Sequence, residues 1–173
     1  MVELAPDAVR SVYVTGLRNA HALEHQALNA IDRQLDRLEN FPEVADRLAL
    51  HRRETENQIV RLDEILGGFG ETPSGLKDAA LAIMGNMAAI THAMAEDEIL
   101  KNAFANCAIE NFEIASYKSL IVMAEASGFR DGITALQETL REEQAMARWC
   151  EESIEKITHR YLTLHGDMDR SSH

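Results

Sequence analysis

The stretch ILKNAFANCAIENFEIASYKSL, residues 99–120, decides the fold because its core-facing positions follow a helical repeat. Steps of four and three residues run through the stretch, as on the inward face of a helix in a bundle. That face carries Ile99, Ala103, Asn106, Glu110, Glu113, Tyr117 and Leu120. Two glutamates therefore occupy core positions halfway along a helix that is otherwise largely apolar.

The same repeat recurs in three further segments, which predicts an all-α bundle of four long helices. Pro42 stands where a first helical residue is expected, and the pairs Gly67-Gly68 and Ser127-Gly128 are typical helix ends. Strand patterns are nearly absent. The predicted long helices span residues 6–39, 42–66, 96–126 and 131–161, with an additional short helix at about 76–94.

Every long helix contributes glutamate to the predicted core. The glutamates are Glu24, Glu110, Glu113 and Glu143, with Glu54 at the edge of its stripe. A buried ionised carboxylate is costly unless it is paired or coordinates a metal. No lysine or arginine shares these stripes to neutralise the charge, so the cluster predicts a site for cations.

The spacing of the glutamates brings them to one level of the bundle. Glu24 and Glu54 lie 15 residues either side of the first helix end, and Glu113 and Glu143 lie 15 residues either side of the second turn. Fifteen helical residues rise about 22 Å, so the two glutamates of each antiparallel hairpin lie level. The connector 67–95 is long enough to cross the bundle. Helices two and three are therefore predicted to be parallel, as in ferritin-like bundles.

Composition limits the class of protein. The chain has 173 residues and a net charge of −12, with 46% hydrophobic and 27% charged residues. This length and composition predict one domain over 1–173. We expect its core at about 7–162 and a frayed tail at 163–173. Such an acidic surface disfavours nucleic acid. There is no apolar run of the roughly 18 residues that span a membrane and no signal-peptide pattern, so we expect a cytoplasmic location. Cys107 and Cys150, the two cysteines, lack CxxC spacing and are expected to be reduced core thiols.

Four motifs lie along the predicted helices: LRNAHALE at 17–24, HRRETENQ at 51–58, ENFEIASY at 110–117 and TLREE at 139–143. Together they resemble the YciE/YciF family of bacterial stress-associated proteins, within the ferritin-like superfamily, over about residues 10–160. The resemblance implies a four-helix bundle with an additional short helix, a homodimer and a di-iron-type site. The Glu-x-x-Glu of the third helix is also similar to that of rubrerythrin.

The motifs depart from ferritin-like di-iron proteins at two positions. Those proteins carry Glu-x-x-His on helices two and four. Asn57 and Met146 stand at the corresponding positions here. Both departures weaken the case for redox activity more than the case for metal binding.

Four further residues are expected near the glutamates. His51 and His21 each precede a glutamate by three residues. His51 is a candidate ligand, with a hydrogen-bonding neighbour of the ligands as the alternative, and His21 is a weaker candidate. Gln58 is expected to orient a carboxylate. Tyr117 either hydrogen-bonds within the site or is an ordinary core aromatic residue.

Several functions remain open from the sequence. The favoured hypothesis is a metal-binding stress or structural protein that holds two iron ions, with manganese, magnesium and calcium as alternatives. A second is a di-iron oxidoreductase, a ferroxidase or peroxidase-like enzyme acting on Fe(II) with oxygen or peroxide. A third is an iron-storage subunit. In each case we expect a homodimer or larger homo-oligomer.

Overall fold

Four helices make up the fold, in a computed structural model that describes residues 6–71 and 97–171. They are α1 (Pro6–Leu35), α2 (Pro42–Gly68), α3 (Glu98–Ser127) and α4 (Ile133–Ser171). Helices account for 89% of the described residues, and those residues form no strand. The predicted all-α four-helix bundle is confirmed. The additional short helix predicted at 76–94 lies outside the described residues.

The ends of the helices follow the predicted breaks with two exceptions. Helix α2 begins at Pro42, and α3 ends before Gly128, whose φ of 76° is the left-handed conformation that favours glycine. Helix α1 ends at Leu35 rather than near Glu39, in a turn closed by the bond from the Arg37 amide to a carbonyl one turn earlier. Helix α4 does not end near Tyr161 but continues to residue 171, because no proline interrupts it.

Contacts between helices establish their directions. Arg10, early in α1, donates to the carbonyl of Phe69 just after α2, with Nη2 2.9 Å from the oxygen. Gln34, late in α1, bonds Asn106, early in α3, over 3.0 Å in both directions. Both α2 and α3 therefore run antiparallel to α1 and parallel to each other. The prediction of parallel second and third helices is confirmed.

The core has two apolar ends and a polar middle. The first apolar cluster contains Tyr13, Val14, Leu17, Ala20, Leu62, Leu66, Tyr117, Leu120, Ala124 and Leu136. The second apolar cluster contains Ile31, Leu38, Val44, Leu48, Met146, Cys150 and Ile157. Between them lies what we call the central polar layer, formed by buried Glu24, His51, Thr55, Gln58, Glu110, Glu113, Thr139 and Glu143. Within the described ranges, no helix is long and apolar enough to cross a membrane.

Candidate metal centre

Four carboxylates lie in the central polar layer, and three helices supply them. Glu24 comes from α1, Glu110 and Glu113 from α3, and Glu143 from α4; their exposed fractions are 1%, 4%, 1% and 0%. The three-residue spacing within α3 places both of its glutamates on one face of the helix. Burial therefore removes water from four carboxylates that face one another.

His51 from α2 completes this layer. Its side chain is 1% exposed, and its Nε2 lies 3.3 Å from Oε1 of Glu110. One ligand atom each from His51, Glu110 and Glu143 lie within 4.8 Å of one another. A single ion could therefore contact all three side chains.

Glu54 lies outside the group of buried carboxylates. Its side chain is 21% exposed, and its Oε2 lies 3.0 Å both from Nδ1 of His51 and from Nη1 of Arg47. Burial tends to raise the pKa of Glu54, but the bonds from His51 and Arg47 prevail and lower it. Because an ionised carboxylate only accepts, Nδ1 of His51 donates, and Nε2 faces the buried carboxylates. Glu54 thus orients the imidazole through Nδ1, on the side away from the buried carboxylates.

Glu24, Glu113 and Glu143 bind protons tightly. Burial raises the pKa of Glu24 to about 8, although the hydrogen bond from Tyr117 acts in the opposite direction. Burial, followed by the charges of Glu24 and Glu143, raises the pKa of Glu113 well above its usual range. Burial also raises the pKa of Glu143, with Glu24 and Glu110 adding to it. These carboxylates stay protonated at neutral pH unless a cation replaces the protons.

The same negative charges stabilise the protonated, charged form of His51. Burial alone lowers its pKa, but the carboxylate of Glu110 and the hydrogen bonds to Glu110 and Glu54 raise it to about 10. The imidazole is therefore positively charged at neutral pH when no other cation is present. It balances one negative charge of the layer.

Two donors fix the orientation of individual carboxylates. The hydroxyl of Tyr117 donates to Oε1 of Glu24. The amide of Gln58 donates to Oε1 of Glu143 and, over 3.0 Å, to Oε2 of Glu142. Gln58 thus makes the contact expected of it from the sequence, and Tyr117 makes the hydrogen bond that was one of its two alternatives.

An ion pair that supports Gln58 was not predicted from the sequence. Arg61 forms a two-pronged bond with Glu142, at 2.7 Å and 2.9 Å, and the same Glu142 accepts from Gln58. This ion pair joins α2 to α4, and its partners lie 81 residues apart in the chain. Only the folded structure reveals such a pair, because both residues look like ordinary surface charges of their own helices.

Several carboxylate oxygens in the layer lack a partner among the described residues. Neither oxygen of Glu113 accepts a hydrogen bond there, nor does Oε2 of Glu24, Glu110 or Glu143. Buried polar atoms are normally hydrogen-bonded, so these oxygens are an exception that needs a cause. Carboxylate oxygens with one imidazole nitrogen are a donor set that iron, manganese and zinc accept. The residues present therefore fit a metal site.

The sequence of this chain matches a known protein family over most of its length. Residues 8–163 match the family model described as DUF892, a domain of unknown function. The chain belongs to this family. It is 28% identical over 145 residues to Protein YciF of Escherichia coli K12, covering 79% of this chain and 84% of that protein. The resemblance seen in the motifs is confirmed.

Solved structures agree with this membership. A protein from Xanthomonas campestris superposes with a TM-score of 0.76 and 27% identity, over 91% of this chain and 99% of that one. The crystal structure of YciF, described as an Escherichia coli stress protein, has a TM-score of 0.67 over 87% of this chain and 97% of that one. The superposed residues are 22% identical, so this second likeness concerns the fold.

Within this DUF892 fold, the two departures from the ferritin-like motif have different surroundings. Asn57 is exposed on α2, whereas Met146 is fully buried in the second apolar cluster. On α2 the inward positions are instead His51 and Gln58. His21 bonds Asp63 through Nε2 at 3.0 Å and stays apart from the carboxylates. Among the described residues, the one histidine that joins the carboxylates therefore comes from His-x-x-Glu on α2.

Proposed function

We propose that this chain is a ferritin-like stress or structural protein that binds metal ions in its central polar layer, at a dinuclear-type site. The observation that carries the proposal is Glu113, whose two oxygens are buried without a partner among the described residues. A cation would satisfy both oxygens and relieve the repulsion from Glu24 and Glu143. The stress role is supported by the likeness to YciF, which is described as a stress protein.

Charge balance supports two ions. The four buried carboxylates carry four negative charges when ionised, and two divalent ions supply four positive charges. In the absence of metal, protons and the imidazolium of His51 perform the same task, as the raised pKa values of Glu24 and His51 indicate. Metal binding then displaces protons from the layer.

The donor set favours iron or manganese. Nε2 of His51 would add a nitrogen ligand to the carboxylates, while Glu54 holds Nδ1 and Arg47 neutralises Glu54. Magnesium and calcium prefer sites made wholly of oxygen. Two iron ions are therefore the first choice, and an ion bound here would act as a Lewis acid or a redox centre.

Elemental analysis of the protein purified without chelator tests this proposal. We expect about two metal ions per chain in the wild type, because the donors and charges suit two ions. Glu113→Gln keeps the shape of the side chain but removes its charge, so metal content should fall. Glu152→Gln, at an exposed position of α4, is the matched control and should keep the wild-type content. Equal metal content in all three proteins would contradict the proposal.

An oxidoreductase acting on Fe(II) with oxygen or peroxide is the second candidate. The His51–Glu54 pair favours it, because carboxylate-supported histidines are common ligands of catalytic metals. Mixing the metal-free protein with Fe(II) under air tests it by absorbance. Oxidation faster than in the Glu113→Gln protein would support an enzyme. Oxidation at the rate of free iron would contradict it and favour a metal with a structural role.

We also propose that the chain forms a homodimer. Helix α3 exposes Phe104, Phe112 and Val122 at 53%, 62% and 63%. Large exposed apolar side chains along one helix are typical of a surface that another protein covers. Light scattering at micromolar concentration should give the mass of two chains, and the mass of one chain would contradict this proposal.

The cellular location stays a proposal too. Both cysteines are free thiols, as expected in a reducing compartment, so we propose the cytoplasm. Fractionation of the source cells tests this, and recovery of the protein outside the cytoplasm would contradict it.

A further inference from the structure

The two cysteines of this chain face each other across the α3–α4 hairpin. Cys107 lies on α3 and is half-buried, whereas Cys150 lies on α4 with 4% of its surface exposed. Cys107 packs against the second apolar cluster, which contains Cys150, and the two thiols are near enough to influence each other's pKa. The chain has two cysteines in all, so each has one possible partner within the chain.

The hairpin register explains why these thiols meet. Helices α3 and α4 are consecutive, antiparallel and joined by the short turn at Gly128, so positions equally far from the turn come level. Cys107 precedes this turn by nearly the same number of residues by which Cys150 follows it. A disulfide requires close approach of two backbones, and level positions on packed, neighbouring helices favour such an approach.

We propose that Cys107 and Cys150 form a reversible disulfide that joins α3 to α4 when the protein meets hydrogen peroxide. The half-buried Cys107 attacks the peroxide, the O–O bond breaks, and a sulfenic acid and one water form. The Cys150 sulfur then displaces hydroxide from the Cys107 sulfur, and the S–S bond and a second water form. Two thiols and one peroxide thus give one disulfide and two waters.

The surroundings of the two thiols support this division of roles. Cys107 is the thiol that a small oxidant can reach, and Cys150 is enclosed beside it. Burial raises the pKa of both thiols, so access to the oxidant decides which one reacts first. Cys107 is the more exposed of the two and therefore attacks the peroxide. This inference needs no metal and stands independently of the proposed function.

Thiol counting and peptide mapping test the proposal on the full chain. The reduced protein is freed of reductant, treated with hydrogen peroxide, and examined by intact mass and by digestion without reduction. We expect the loss of two hydrogen atoms, a Cys107–Cys150 peptide pair, and full recovery of both thiols with dithiothreitol. The oxidised protein should also melt at a higher temperature, since a disulfide restricts the unfolded chain.

Two single variants separate the roles of the thiols. Cys150→Ala should retain a sulfenic acid at residue 107, which dimedone traps, whereas Cys107→Ala should react far more slowly. Far-UV spectra check that both variants keep their helices, and the wild-type peptide map stands even if one variant unfolds. Two intact thiols after peroxide, disulfides only between chains, or separate overoxidation of each cysteine would overturn the proposal.

Discussion

The apolar clusters and the central polar layer are built on the same four helices, yet burial of side chains has opposite effects on the free energy of folding in the two regions. In the first apolar cluster, Leu17 and Leu62 are buried in contact with other hydrocarbon side chains. In the central layer, five carboxylate oxygens are buried without a hydrogen-bond partner among the described residues. Hydrocarbon burial stabilises the fold, whereas burial of carboxylates costs free energy. The ends of the bundle therefore stabilise it, whereas the middle lowers its stability, as is typical of the binding site that we propose there.

Removing hydrocarbon from an end of the bundle should have the largest effect. Leu17 is fully buried, so Leu17→Ala should lower the free energy of unfolding by about 2–5 kcal/mol. Leu162, which is 58% exposed on α4, provides the control, and Leu162→Ala should change stability by less than about 0.5 kcal/mol. Urea unfolding measures both. Equal losses in the two variants would mean that the first apolar cluster does not stabilise the bundle.

The central layer should make the metal-free protein less stable as pH rises. The pKa of Glu24 is raised from 4.5 to about 8. Between these values the unfolded chain releases a proton that the native chain keeps, so the stability present below pH 4.5 is lost as pH rises to 8. The loss from this group is about 3 kcal/mol at pH 7. His51, raised from 6.5 to about 10, extends the decline toward pH 10 with the same sign.

Unfolding of the wild type and of Glu24→Gln between pH 5 and 8, with chelator present, measures this slope. The variant has no carboxyl group at position 24 to titrate, so its stability should fall less steeply over this range. A wild-type stability that rises through the interval, or equal slopes in both proteins, would contradict the burial of an unpaired carboxylate.

A smaller effect should follow from removing one donor of the layer. Tyr117 is 1% exposed and donates its hydroxyl hydrogen to Glu24. Tyr117→Phe leaves that oxygen without this donor and should cost about 1–3 kcal/mol, while raising the pKa of Glu24 further. Tyr161→Phe, on the half-buried part of α4, is the matched control. The same small change in both variants would show that the Tyr117 bond is unimportant.

The smallest effect is expected at the surface. Lys156 and Glu43 form an ion pair with side chains 70% and 68% exposed. Water and salt screen such pairs, so Lys156→Ala should change stability by about 0–1 kcal/mol. A larger loss in thermal unfolding would show that charge pairs outside the central layer stabilise this bundle more than its composition suggests.

Helical periodicity predicted the bundle and the glutamates of α1, α3 and α4, because inward faces repeat at fixed steps. It was less accurate for the face of α4, because steps of four and three residues from Leu136 through Glu143 to Cys150 predict Leu140 and Ala147 as inward positions, whereas Thr139 and Met146 are the buried residues. A helix can rotate slightly about its axis without changing its pattern. Only the packing of the neighbouring helices decides that rotation.

The inward face of α2 was the hardest to predict. Its stripe mixes polar and apolar residues, so Glu54 and His51 were both reasonable candidates. The structure buries His51 and leaves Glu54 partly exposed beside Arg47. Periodicity had already placed Glu54 at the edge of the stripe, but it does not encode the ion pair of Glu54 with Arg47. The Arg61–Glu142 pair was missed for the same reason, since its residues meet only after α2 packs against α4.

Thermal unfolding during a titration with Mn²⁺ tests most directly whether metal relieves the repulsion among the carboxylates of the central layer. A ligand that binds only the native state stabilises it by about 2.7 kcal/mol at a hundred times its Kd. We expect the melting temperature of the wild type to rise with metal and to fall again with chelator. The double variant Glu113→Gln, Glu143→Gln, which lacks two of the buried carboxyl groups, should melt at one temperature throughout. A wild-type melting temperature that changes with neither metal nor chelator would contradict the account. It would indicate that the central polar layer is a protonated polar core.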